Sequence, residues 1–184
     1  MNKKILSIRT MVAVGIGAAI FFVLMRFVAI PSGIPNINLN LAAAILSLFA
    51  GIFGPVAGFL IAAIGHTIVD LTWGFGVWWS WVIADAVFGL ILGLLWKKYR
   101  IEEGTFGVKE AILFNVMQII ANAVAWIGIA PILDILMFQE PADKVYLQGL
   151  TAAGLNSLVV LVVGTLLAFG YSKTRTKAGS LKAE

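Results

Sequence analysis

The chain has no cysteine and a single histidine, His66, among its 184 residues. The first absence excludes disulfides and thiolate metal sites, and the second excludes a multi-histidine metal centre. No G-x-x-x-x-G-K-[ST] run occurs, so the chain does not hydrolyse ATP by itself. Charge is also scarce, with Asp, Glu, Lys and Arg making up 12% of residues. The few carboxylates are scattered, and no nucleophile–base constellation accompanies them. These features argue against an enzyme, and no cofactor or metal is expected. What remains is 61% hydrophobic, with a mean hydropathy of +1.01. A soluble core of this size does not need so much apolar surface. A bilayer does, because each spanning helix takes about 20 mostly apolar residues.

The net charge of +4 reads as membrane topology rather than nucleic-acid binding. Eleven of the 13 Lys and Arg residues fall in three places. Lys3, Lys4 and Arg9 precede the first apolar stretch. Lys97, Lys98, Arg100 and Lys109 flank a middle loop, and Lys173, Arg175, Lys177 and Lys182 form the tail. By the positive-inside rule all three segments are cytoplasmic. The first apolar stretch is too long for a signal-peptide core and has no clear cleavage site, so it is expected to stay in the membrane.

The chain is expected to be a single all-α integral membrane domain over residues 1–184, with six transmembrane helices and both termini cytoplasmic. The spans are expected at about 5–30, 40–53, 55–72, 77–98, 109–138 and 147–171. Pro31, Gly33 and Pro35 end the first helix. Gly54-Pro55 divides a 41–71 run that is too long for one span, leaving a short second helix that neighbours must shield. Pro131 predicts a kink or an early stop in the fifth helix. Residues 139–146 are expected as an outer loop. No internal repeat or low-complexity linker interrupts the pattern.

An ionisable side chain at mid-membrane depth costs about 2.5–3.5 kcal/mol or more, so each should face protein, water or ligand. On this topology most polar groups sit in the outer half. His66 and Asp70 are four apart on one helix face. Asp85 lies about two turns below Trp78, Trp79 and Trp81, and Gln118, Asn122 and Trp126 climb the fifth helix in steps of four. Asn156 lies in the sixth helix, and Asn36, Asn38 and Asn40 lie in the loop before the second. Each group also has a plain structural reading. Tryptophans form interfacial belts, amides glue helices, and His66 and Asp70 can pair with each other. Trp78 and Trp81 share a face while Trp79 points elsewhere. Asp85 most needs a cation, a proton or a ligand donor. Together these groups outline a pocket open to the outside, walled by aromatics and suited to a small, flat, polar heterocycle. On the first helix, Ala13, Gly15, Gly17 and Ala19 form two pairs of small residues four apart, which would let another helix approach closely at the cytoplasmic half.

Several segments carry a family resemblance: Ile34-Pro-Asn36, Phe53-Gly-Pro-Val-Ala-Gly-Phe59, Gly65-His66 with Asp70, and Trp78-Trp-Ser-Trp-Val82. In their order and spacing they resemble the substrate-binding S components of energy-coupling factor (ECF) vitamin transporters. The likeness is to the UPF0397-like and hydroxymethylpyrimidine branch, related to the riboflavin S components, and it covers roughly residues 5–170. The resemblance implies six helices, a vitamin pocket on the outer side and no ATPase activity in this subunit. It also implies docking onto a transmembrane T subunit coupled to two cytoplasmic ATPases. The family's docking motif on the first helix is Ala-x-x-x-Ala, where this chain has Ala13-x-x-x-Gly17. The loop after the first helix closes over substrate in the family, which makes Asn36 and Asn38 candidates for the lid. Expected substrate contacts are therefore Asn36, Asn38, His66, Asp70, Trp78, Trp79, Asp85, Gln118, Asn122 and Asn156. Hydroxymethylpyrimidine, the pyrimidine precursor of thiamin, is the favoured ligand, with riboflavin and a pyridoxine-type vitamin as rivals. An autonomous small-solute transporter or channel is the alternative of another class. It would need a continuous polar path, for which the inner half offers only Asn115 and a few hydroxyls.

Overall fold

The computed structural model describes residues 7–74 and 76–175. These residues are almost entirely helical. Ser7 opens the first helix, α1 (Ile8–Phe27), its hydroxyl accepting from the Thr10 N–H at 3.1 Å. The following segment is more ordered than a plain loop. Two short strands, β1 (Ala29–Pro31) and β2 (Asn38–Asn40), pair antiparallel, with Ala29 opposite Asn40 and Pro31 opposite Asn38. Gly33 and Asn36, both at positive φ, turn the chain between them, and the Ser32 hydroxyl donates to the Ile37 carbonyl at 2.6 Å. Asn40 Oδ1 accepts from the Ala42 N–H at 2.9 Å and so starts α2 (Ala42–Phe53).

Gly54, at φ +89°, turns the chain sharply into α3 (Pro55–Trp73), where Pro55 occupies the first turn and needs no N–H partner. The next helix is shorter than its apolar run predicts. α4 (Trp79–Gly93) stops where Gly93 meets Pro55, and a separate turn, α5 (Trp96–Tyr99), follows. The buried Tyr99 hydroxyl takes the Leu92 carbonyl at 2.8 Å, satisfying a group that a continuing helix would have bonded.

The last two helices are long. α6 (Val108–Phe138) passes through Pro131 without ending and widens to a π-helical turn over Ala123–Ile129. The Ala130 N–H reaches back to the Ala125 carbonyl, and the wider turn accommodates a residue that lacks an N–H. α7 (Ala142–Lys173) begins five residues before the predicted 147 and has its own wide turn at Val160–Gly164. Pro141 presets the dihedral at its N-cap, and Lys144 pairs with Glu140 four residues earlier, so polar residues that read as a loop form the first turn.

Four helices (α1, α3, α6 and α7) are long and apolar enough to cross a membrane. α2 and α4 have 12 and 15 residues and bury most of their length against their neighbours. Leucine, isoleucine and phenylalanine cover the outside, for example Ile112, Leu136 and Leu166. That surface suits lipid and not water.

The closed half of the bundle is packed through glycine. A Cβ on Gly58 would lie 2.4 Å from the Gly89 carbonyl oxygen, and one on Gly89 would lie 2.5 Å from that of Gly58. The backbones of α3 and α4 therefore touch with no space for a side chain. At this end the Arg9 guanidinium pairs with Glu102, and the Phe106 N–H donates to Ser172 Oγ at 3.1 Å. Gly58→Leu or Gly89→Leu is expected to force α3 and α4 apart and destabilise the fold by about 3 kcal/mol. A fall in the thermal unfolding midpoint of the detergent-solubilised protein measures this. Gly15→Leu serves as the control, since nothing lies within 4 Å of the Cβ it would add.

Candidate functional site

A cavity of about 740 Å³ opens at the other end of the bundle, among the C-terminal ends of α1, α3 and α6, the N-terminal ends of α2, α4 and α7, and the β1–β2 hairpin. Its charge content is unusual for this chain. Arg26 and Lys144, the two basic residues outside the three basic segments, both line it. So do Asp70, Asp85, Asp134 and Glu140. Lys144 is tied to Glu140. Arg26 lies over the Trp73 ring at 3.9 Å and donates through Nε to Thr72 Oγ1 at 3.2 Å.

α3 and α4 supply a buried carboxylate–imidazole–carboxylate array. His66 is 1% exposed and Asp85 is 6% exposed. His66 Nδ1 lies 2.8 Å from Asp85 Oδ2, so Nδ1 carries the proton and donates to the carboxylate. His66 Nε2 lies 3.6 Å from Asp70 Oδ1, beyond hydrogen-bond reach. Asp70 is anchored through its other oxygen, which accepts the Trp78 N–H at 2.8 Å.

The second construction is centred on Asp134, which is 2% exposed. Its Oδ1 accepts from Trp78 Nε1 at 2.7 Å and from the Ser80 hydroxyl, and its Oδ2 accepts from Trp81 Nε1 at 2.8 Å. Three neutral donors on the first turn of α4 thus hold a carboxylate of α6, and the positive end of α4's dipole adds to the attraction. The same two indoles pack on α6 aromatics. Trp78 stacks on Phe138 at 4.0 Å and 16°, and Trp81 meets Trp126 edge-on at 5.8 Å. The aromatic wall is a clamped unit shared by two helices. Trp126 comes off the wide turn of α6. Its carbonyl faces Gly149 of α7 so closely that a Cβ there would lie 2.1 Å away.

Of the residues expected from sequence, Asn36, Asn38, His66, Asp70, Trp78, Asp85 and Asn156 line this cavity. Trp79, Gln118 and Asn122 do not. Trp79 is 48% exposed, because one helical step from Trp78 turns it to the outer face. Gln118 and Asn122 are buried on α6, where Gln118 bonds to α7 and Asn122 bonds to Gln118. Gln118 Nε2 donates to the Ser157 carbonyl at 3.2 Å, and Asn122 Nδ2 donates to Gln118 Oε1 at 2.9 Å. On α1 the expected docking strip divides. Ala13 and Gly17 are buried, and a Cβ on Gly17 would lie 2.7 Å from Ile61, whereas Gly15 and Ala19 face outward.

Sequence reasoning passed over Asp134, Arg26 and Gln148. The signal was present for the first two. Asp134 is the only acidic residue between Glu110 and Glu140, and Arg26 is the only cation between Arg9 and Lys97. The rule that singled out Asp85 applies equally to both. Gln148 carried no such mark. Its role, donating from Nε2 to the Pro35 carbonyl at 2.9 Å and so tying the hairpin to α7, exists only in three dimensions.

A lipid-facing helical bundle enclosing one polar, aromatic-walled cavity defines a membrane-embedded binding protein. The chain belongs to the ECF-type riboflavin transporter S component family, whose model matches residues 5–173. S components are substrate-binding subunits rather than enzymes, and the chain is a multi-pass protein of the bacterial plasma membrane. Relatives named UPF0397 protein match over its whole length. One from Lacticaseibacillus casei is 47% identical over 100% of this chain and 98% of its own, and one from Clostridium perfringens strain SM101 is 50% identical over 100% of both. The crystal structure of an S-component for biotin from an ECF-type ABC transporter shares the fold, with a TM-score of 0.62 over 90% of this chain and 92% of that one, at 14% identity.

Replacing Asp134 by leucine would strand three donors at the head of α4. It is expected to destabilise the protein by about 3 kcal/mol and to blue- or red-shift tryptophan emission as the two indoles lose their acceptor. Thermal unfolding together with emission spectra reads both effects.

Proposed function

We propose that this chain is the substrate-binding subunit of an ECF-type importer for a small vitamin or vitamin precursor, with hydroxymethylpyrimidine as the favoured ligand. The observation that carries this reading is the 740 Å³ cavity with Trp78, Trp81 and Trp126 on its walls and a few carboxylates and amides among them, in a chain of the S-component family. A flat heterocycle can stack on the indoles while polar groups read its edge. The choice of hydroxymethylpyrimidine follows the sequence resemblance, and riboflavin or a pyridoxine-type vitamin are its rivals. The family's own description names riboflavin.

The transport cycle follows from the arrangement of the two ends. Six helices cross the membrane. The basic segments and both termini lie in the cytoplasm, and the cavity opens outside. Substrate enters beside the hairpin, where Asn36 and Asn38 serve as lid residues and Ile37, 5% exposed, forms an apolar plug. The loaded subunit then docks on a T subunit coupled to two ATPases, whose hydrolysis of ATP drives release inward. The outward-facing pair Gly15 and Ala19 is the part of the α1 strip open to a partner helix. Ala13 and Gly17 instead let α1 lie against α3.

Titration of the purified protein with hydroxymethylpyrimidine, riboflavin and pyridoxine, alongside mass spectrometry of any co-purifying small molecule, tests this reading. At least one heterocycle is expected to bind tightly. Asp85→Ala should weaken that binding about tenfold or more, while Gly15→Leu should spare it and reduce co-purification with the T subunit. The same defect in both variants would remove the division into a binding end and a docking face.

A further inference from the structure

The cavity has a pattern of hydrogen-bonding capacity that constrains what it can hold. Asp134 is closed, since both of its oxygens are filled by Trp78, Ser80 and Trp81. Asp70 and Asp85 are each half open. Asp85 Oδ2 is taken by His66 and Asp70 Oδ2 by the Trp78 N–H, but among the described residues no donor reaches the second oxygen of either. The imidazole between them is also incomplete. With Nδ1 on Asp85, its Nε2 stands 3.6 Å from Asp70 Oδ1, too far for a hydrogen bond. The open oxygens of Asp70 and Asp85, on either side of a histidine 1% exposed, leave a notch that a ligand donor can enter.

Charge points the same way. Asp70 and Asp85 flank one histidine, so this part of the cavity is negative whether His66 is neutral or protonated. Lys144 is paired with Glu140, and Arg26 is held at the rim by Trp73 and Thr72.

We propose that Asp70 and Asp85, with His66 between them, are the specificity-determining element of the site. They admit a nitrogen heterocycle that presents N–H or O–H donors or a positive charge, and they reject one that brings a carboxylate to this position. An exocyclic amine suits the notch, since its N–H groups can point at the open carboxylate oxygens. A carboxylate would face two groups of its own charge. The inference rests on the substrate-binding reading above and assigns the charge rule within it.

The test compares hydroxymethylpyrimidine with the analogue in which its hydroxymethyl group is replaced by a carboxylate, with riboflavin as a third probe, by calorimetric titration of the full chain in detergent. The carboxylate analogue is expected to bind about 100-fold more weakly than the parent. Asp85→Asn and Asp70→Asn, each nearly isosteric and checked for an unchanged unfolding midpoint, should narrow that gap about tenfold. If either variant misfolds, His66→Gln, which keeps an amide in place of the ring, takes its place and should weaken the parent pyrimidine. Equal binding of the two pyrimidines, or a gap unchanged in every folded variant, overturns the charge rule alone. Tight riboflavin binding that the Asn variants leave untouched also overturns it while keeping the importer reading. Failure of all three probes and of pyridoxine to bind the wild-type chain removes both.

Discussion

The carboxylate of Asp134 holds the site together. It sits on α6, nearly out of contact with solvent, and takes both indole N–H groups and a hydroxyl from the first turn of α4. Without that acceptor three donors would be stranded in apolar surroundings, each at a cost of about 1–3 kcal/mol. With it, Trp78 and Trp81 are fixed in orientation as well as in place, and each packs on an α6 aromatic. The backbone N–H of Trp78 goes to Asp70 on α3. One short stretch of α4 therefore links three helices around the cavity through two carboxylates, neither of which uses a basic side chain.

The two ends of the bundle meet the demands of a membrane differently. In the closed half the helices approach through glycine, so that Gly58 and Gly89 bring backbone against backbone. In lipid, where apolar surface gains little by leaving the bilayer for a protein neighbour, such close packing is what holds helices together. At the open end the helices are kept apart, and polar groups fill the space between them. The wide turn in α6 adds to this. Ala123–Ile129 in α6 supplies Trp126 to the cavity wall, and its exposed carbonyl is what Gly149 accommodates.

Bonds of different range hold the two parts of the site. The indole wall and the His66–Asp85 pair are buried and fully constrained on at least one side. The hairpin is tied down by Gln148 and by short-range bonds around Ser32 and Ile37.

Much of this protein could be read from its residues. The apolar runs and the break at Gly54-Pro55 marked the helices, because a bilayer demands length and satisfied backbone from each of them. The scarcity of charge made His66, Asp70 and Asp85 conspicuous, and all three reach one cavity. Tertiary structure alone decided the rest. Residues spaced four apart share a helix face, but nothing in that spacing says whether the face meets ligand, lipid or another helix. Gln118 went to α7 and Asn122 to Gln118, and Gly17 went against Ile61. Polar residues at 142–146 became the first turn of α7 once Pro141 and the Glu140–Lys144 pair set its start. Asp134 gained its meaning only when folding brought it to donors more than 50 positions away in the chain. Local sequence specifies periodicity and the cost of a buried charge; which partner meets that cost depends on how the helices pack.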